Sequence, residues 1–159
     1  MMAALRSVSR LLTRRCLGTT LKRGYADEMS FTFAAGNQVY YDGQSVRQVD
    51  VPSFSGSFGI LPAHVPTLAV LKPGVVSVFE NDGKVNKIFV SSGTVTINDD
   101  SSVQILAEEA HPVENLDPAA AREVLNKAQS ELSSATSEQA KAEALIAVEV
   151  GEALVKAVE

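Results

Sequence analysis

Between Gly56 and Gly74 the chain reads Gly-Ser-Phe-Gly-Ile-Leu-Pro-Ala-His-Val-Pro-Thr-Leu-Ala-Val-Leu-Lys-Pro-Gly, and few folds can absorb that run. Pro62 and Pro66 each fix φ and remove a backbone donor, while the residue before each is pushed toward extended geometry. A helix around His64 is therefore excluded, and the whole run is expected to be a stiff, shaped loop. Pro73-Gly74 fits a type II turn, with proline second and glycine where φ must be positive. A strand is expected to start at Val75.

On both sides of this run the pattern is short alternation. Phe31 and Phe33 flank Thr32, Val39-Tyr40-Tyr41 follows Gly36-Asn37, and Val49 and Val51 flank Asp50. Later runs cover 75–79, 85–90, 94–97 and 103–106, separated by turn formers such as Asp42-Gly43, Asn81-Asp82-Gly83 and Asp99-Asp100. Short strands at even spacing predict a two-sheet sandwich or flattened barrel. After His111-Pro112 aromatic residues stop and Ala, Glu and Lys take over. Asp117-Pro118 reads as an N-cap followed by proline at the first helical position, with a helix to about Ser133 that presents Ala121, Leu125, Ala128 and Leu132 on one face. Thr136 to Gln139 reads as a capping box for a second helix toward Lys156. There Ala142, Leu145, Ala153 and Leu154 are expected to face its partner. The fold class is all-β plus α: a β-sandwich over 26–112, then an antiparallel two-helix hairpin over 113–159.

Residues 1–25 obey other rules. Arg6, Arg10, Arg14, Arg15, Lys22 and Arg23 are basic, no acid precedes Asp27, and Leu5, Val8, Leu11 and Leu12 share a helical face. This is the acid-free amphipathic pattern of an organelle transit peptide, and Arg23-Gly24-Tyr25-Ala26 resembles a mitochondrial processing site cut after Tyr25. Taking away six cations leaves 8 basic residues against 19 acidic ones, a net charge of −11. So acidic a chain repels nucleic acid and anionic lipid, which points to protein partners. No apolar run is long enough to span a bilayer. Cys16, the one cysteine, lies in the leader, so disulfides, thiolate catalysis and Cys-held metals are not expected of the mature chain.

The run Gly56-Ser57-Phe58-Gly59-Ile60-Leu61-Pro62-x-His64-x-Pro66, with Leu71-Lys72-Pro73-Gly74, resembles the signature of the small central-stalk subunits of rotary ATP synthases, called delta in mitochondria and epsilon in bacteria. The order of features from Met29 to Glu159 agrees with that family. The resemblance implies a sandwich of about ten strands. It also implies a non-catalytic rotor subunit on the matrix side of the mitochondrial inner membrane, coupling proton-driven rotation of the c-ring through the gamma subunit to ATP synthesis in the catalytic head. The partners implied are gamma, the small epsilon subunit and the c-ring. Ser57, Phe58, Gly59, His64 and Pro66 would lie at the ring-facing end. Many relatives carry a carboxylate where Ser57 stands, and serine offers only a neutral hydrogen bond.

Chemistry finds little to work with. His64 and a carboxylate such as Asp50 are the one hydrolase pair that can be drawn, with no activated nucleophile beside them; His111 lies 47 residues from His64, and a loop-shaping or interface histidine is the simpler expectation. Gly56-Ser57-Phe58-Gly59 lacks the lysine and helix start of a P-loop. Some bacterial relatives bind ATP through Leu-Asp-x-x-Arg-Ala; here Leu116-Asp117 is followed by Ala120 in the arginine position and Arg122 two residues late. Neither a nucleotide nor any other cofactor is expected, and no metal. A freestanding chaperone with many clients would share the architecture.

Overall fold

The computed structural model describes residues 29–159; the expected leader, the cleavage expected after Tyr25 and Cys16 lie outside the described residues. Nine strands and two helices follow in order: β1 (Met29–Ala35), β2 (Val39–Ser53), β3 (Gly56–Ile60), β4 (Thr67–Leu71), β5 (Gly74–Glu80), β6 (Val85–Val90), β7 (Gly93–Ile97), β8 (Val103–Ala107), β9 (Ala110–Pro112), a 3-10 turn (Val113–Asn115), α1 (Pro118–Ser134) and α2 (Glu138–Val158).

The strand path β1-β8-β7-β4-β2-β5-β6-β9 closes on itself, because β2 also pairs with β1, and β3 lies against β2. One layer is β1, β8, β7 and β4; the other is β3, β2, β5, β6 and β9. The 15 residues of β2 serve both, with Val39 to Val46 on β1 and Val46 to Ser53 on β5, β3 and β4. Val39–Tyr41 and Val49–Val51 are thus parts of one strand. Asp42-Gly43, read as a turn, is a bulge inside it: Gly43 takes φ 60° and its N–H donates to Thr32 Oγ1 at 3.2 Å. Phe31, Phe33, Val49, Val51, Ile60, Val76 and Val78 fill the space between the layers.

The Gly56–Gly74 run is a loop only at its centre. Its two ends are β3 and β4, and the loop itself is residues 61–66. The expected Pro73-Gly74 type II turn is absent, since Gly74 keeps a negative φ and opens β5. Glycine is required there for space: a Cβ would sit 3.0 Å from Pro52 Cβ. The type II geometry falls instead on Leu61-Pro62-Ala63-His64, where His64 N–H donates to Leu61 O at 3.1 Å and Ala63 takes φ 61°.

In the hairpin Asp117 caps α1, its carboxylate accepting from Ala119 N–H at 2.8 Å with Pro118 next in line. The second cap moves by one residue. Ser137 rather than Thr136 accepts, from Ala140 N–H at 3.0 Å, and Gln139 spends its amide on Glu143 at 3.0 Å. Packing follows Ala121 and Ala128 on α1 and Ala144 and Gly151 on α2. Ala142 and Leu145 are exposed instead. Gly151 fixes the register, because a Cβ there would lie 3.1 Å from Leu125 Cα. The hairpin rests on the β5 side of the sandwich.

Candidate functional site

The residues quoted from the signature run divide between two places. Strand alternation in β3 turns Phe58 and Ile60 toward the core and Ser57 and Gly59 outward. Ser57 borders a groove of about 600 Å³ between the second layer and α2, where Lys72, Lys87, Lys156, Glu149 and Glu152 also look in. Gly59 lies opposite Asp50, where a Cβ would sit 2.8 Å from Asp50 Oδ1 and displace that carboxylate. His64 and Pro66 belong to the 61–66 loop at the far end of β3. Phe58 is the link between the places, its ring centroid 6.2 Å from that of His64.

That loop is held by its own polar groups. Val65 O accepts from His64 Nδ1 at 2.8 Å and from Thr67 Oγ1 at 2.9 Å. Ala63 N–H donates to Ser101 Oγ at 3.3 Å, tying the loop to the β7–β8 turn, where Ser101 also adopts a positive φ of 65°. Within that turn Asp100 accepts from the Ser102 hydroxyl and N–H, which holds its carboxyl below the usual range. With the backbone occupied, Leu61, Val65 and Pro66 turn apolar surface to solvent.

The hydrolase pair is not assembled. Asp50 Oδ1 accepts from Gln48 Nε2 at 2.6 Å, and the contacts of His64 are a carbonyl and a phenyl ring. Among the described residues no cluster of three His, Cys, Asp or Glu side chains could hold a metal ion. Nearby, Tyr41 is buried and Tyr40 OH donates to Ala110 O. Tyr41 closes a triangle: Asn86 Nδ2 donates to Tyr41 OH and to Glu80 Oε1, both at 2.6 Å, and Tyr41 OH donates to the same carboxylate oxygen at 3.1 Å. Burial raises the phenol pKa, and the Glu80 charge adds to the rise while the Asn86 bond opposes it.

A larger surface went unread in the sequence. Across the first layer Val70 opposes Thr94, Thr94 opposes Leu106, Leu106 opposes Ala34, and Ala34 opposes Val39. The adjacent row is Leu68, Thr96, Gln104 and Thr32. Leu68 is 73%, Val70 59% and Leu106 63% exposed. Neither row holds a charge. Neighbouring strands stand about 4.8 Å apart, so the first row spans about 19 Å. The signal was available in Thr67–Leu71, where apolar residues occupy both alternation phases, but reading the run as loop hid it. Such a surface cannot bind a metal or polarise a substrate; it can exclude water against a matching apolar surface.

Comparison with known proteins follows the same division. Residues 28–113 match the model of the ATP synthase delta/epsilon chain β-sandwich domain, and residues 116–157 match that of the C-terminal domain of the metazoan delta subunit of F1F0-ATP synthase. The mitochondrial ATP synthase subunit delta of Caenorhabditis elegans is 49% identical over 86% of this chain and 89% of its own length. Its Saccharomyces cerevisiae counterpart is 37% identical over 94% and 96%. Among solved structures, a chain of the Euglena gracilis mitochondrial ATP synthase OSCP/F1/c-ring assembly superposes with a TM-score of 0.78 at 26% identity, covering 84% of this chain and 82% of that one.

Proposed function

The chain belongs to the ATP synthase delta/epsilon family, and from that premise we propose that it is a rotor subunit of the mitochondrial central stalk, one that carries load between other subunits and performs no chemistry. The observation that carries this reading is the uncharged outer face of the first layer. In a chain with 19 acidic residues, two rows without charge across four strands make a surface suited to a permanent protein contact. Gamma covers that face. The 61–66 loop, with Ser57, Phe58, Gly59, His64 and Pro66, meets the c-ring through apolar and neutral polar groups. On α2 the exposed Leu145 and Ile146 take the small epsilon subunit, which holds the hairpin in place.

Stiffness is what torque transmission asks of the fold. Because β2 belongs to both layers, neither can slide over the other without breaking its ladder. The protein is mitochondrial, and its place is the matrix side of the inner membrane. Residues 1–25 serve as the import leader; 26–112 and 113–159 are the two working domains. The test is purification of the tagged full-length chain from gently solubilised mitochondria, with copurifying proteins counted by mass spectrometry. One copy per complex, with gamma, epsilon, c and the catalytic subunits, is expected. Recovery of the chain alone or with scattered clients would return the chaperone reading to the front.

A further inference from the structure

The second layer has two edges, and they are built differently. At β9 the edge is three residues long and ends in Pro112, and the carbonyl of Ala110 is plugged by Asn37 Nδ2 at 2.9 Å and by Tyr40 OH. Shortness, proline and side-chain plugs are ordinary ways of keeping a sheet edge from pairing with another chain. At β3 none of these is present. The strand is Gly56-Ser57-Phe58-Gly59-Ile60, with no charge or proline, and its pairing with β2 runs without a bulge.

Proline in β2 settles which way the β3 main chain points. Pro52, opposite Ser57, has no N–H to exchange, and its carbonyl accepts from Lys72 N–H at 3.2 Å, toward β4. The neighbouring outward residue Asp50 pairs with Ser77 of β5 on that same side of β2. The ladder to β3 therefore runs through Val49 with Ile60, Val51 with Phe58 and Ser53 with Gly56. Ser57 and Gly59 turn their N–H and C=O groups to the open side. Both residues are exposed, and among the described residues no further hydrogen bond reaches those groups.

We propose that the β3 edge receives an extended segment of a partner subunit, paired main chain to main chain with Ser57 and Gly59. Strand addition of this kind takes affinity from backbone hydrogen bonds and specificity from alternate side chains. Here the alternation is defined. A partner residue opposite Phe58 turns toward the core and is apolar. One opposite Gly59 lies over the outer surface, where Gly59 leaves the Asp50 carboxylate uncovered, and is a lysine, arginine or amide donor. The inference rests on the stalk reading for the source of the segment.

Residue-resolved amide exchange tests it, comparing the isolated mature chain with the same chain in the purified synthase. Ser57 and Gly59 amides exchange freely in the isolated chain and slow by about a hundredfold in the complex, as expected for amides entering a ladder. Ser57→Pro removes one edge N–H without touching the β2 ladder, and is expected to lower incorporation into the complex about tenfold below that of Ser57→Ala, which lacks the same hydroxyl but keeps the N–H. Amides at 57 and 59 that stay fast in the complex overturn the inference and leave the stalk reading intact, as do equal effects of the two substitutions with unchanged melting. Concentration-dependent protection of both amides in the isolated chain would reassign the edge to a second copy and overturn the partner assignment. Failure of the chain to copurify with any synthase subunit would sink both readings together.

Discussion

On the layer made by β1, β8, β7 and β4, the outward residues Leu68, Val70 and Leu106 stand in solvent; on the other layer Phe89 points outward by the same alternation and is 5% exposed. The two surfaces are built of similar strands. What separates them is the C-terminal segment, which folds back so that the 3-10 turn lies against β6 and α2 against β5. Phe89 stays outside the cluster that fills the sandwich, so its burial comes from this cover. An apolar residue on a sheet face is thus covered within the chain on one side and left exposed on the other.

Four substitutions break or sharpen this contrast. Phe89→Ala should cost the isolated chain about 3 kcal/mol, the usual loss for a buried phenylalanine; a chemical-denaturation midpoint unchanged from the parent would mean that the hairpin does not cover this face. Leu106→Asp is the mirror experiment. On an exposed strand position it should alter stability by no more than about 0.5 kcal/mol, yet lower incorporation into the synthase by about tenfold or more, because a carboxylate would be buried at the contact. Equal incorporation of variant and parent in a competition assay would free that face from any role in assembly.

Smaller effects come from the polar groups at the margins. Tyr41 has a folded pKa above its unfolded value, so its contribution is fully present below about pH 10 and is lost as pH rises through the folded pKa. Tyr41→Phe should cost about 1 kcal/mol near neutrality and flatten the alkaline fall in thermal stability; an identical alkaline slope in both proteins would exclude the phenol as its source. Least of all, Ala63→Gly relieves a left-handed alanine at φ 61° but adds freedom to the unfolded chain. The two nearly cancel, for a net change of a few tenths of a kcal/mol. A loss above about 1 kcal/mol would show that the alanine methyl supports the loop.

The fold class was legible because local chemistry states it. Alternation marked β1, β5, β6, β7 and β8; Asp117 and Pro118 marked the start of α1 by supplying what a helix N-terminus lacks. Two prolines fixed the loop around His64 wherever the chain went next. Other features depended on partners distant in sequence. β3 was hidden because its two glycines lower strand propensity, and only pairing with β2 makes those residues a strand; Thr67–Leu71 holds neither glycine nor proline, and β4 was masked by Pro66 and Pro73 on either side of it. Gly74 looked like a turn residue and is a clearance for Pro52. Leu145 looked like hairpin core and is exposed, since only the register set by Gly151 against Leu125 decides which α2 stripe faces α1.

For the candidate site the division is the same. The sequence by itself determined the family signature and the excess of acidic over basic residues, because these depend on which residues are present and at what spacing. Only the tertiary structure decided that Ser57 and His64 belong to different places, that one sandwich face carries no charge, and that one sheet edge is open. Those properties arise from residues as far apart as Ala34, Val70 and Leu106, and no local pattern can report which faces the folded chain leaves uncovered.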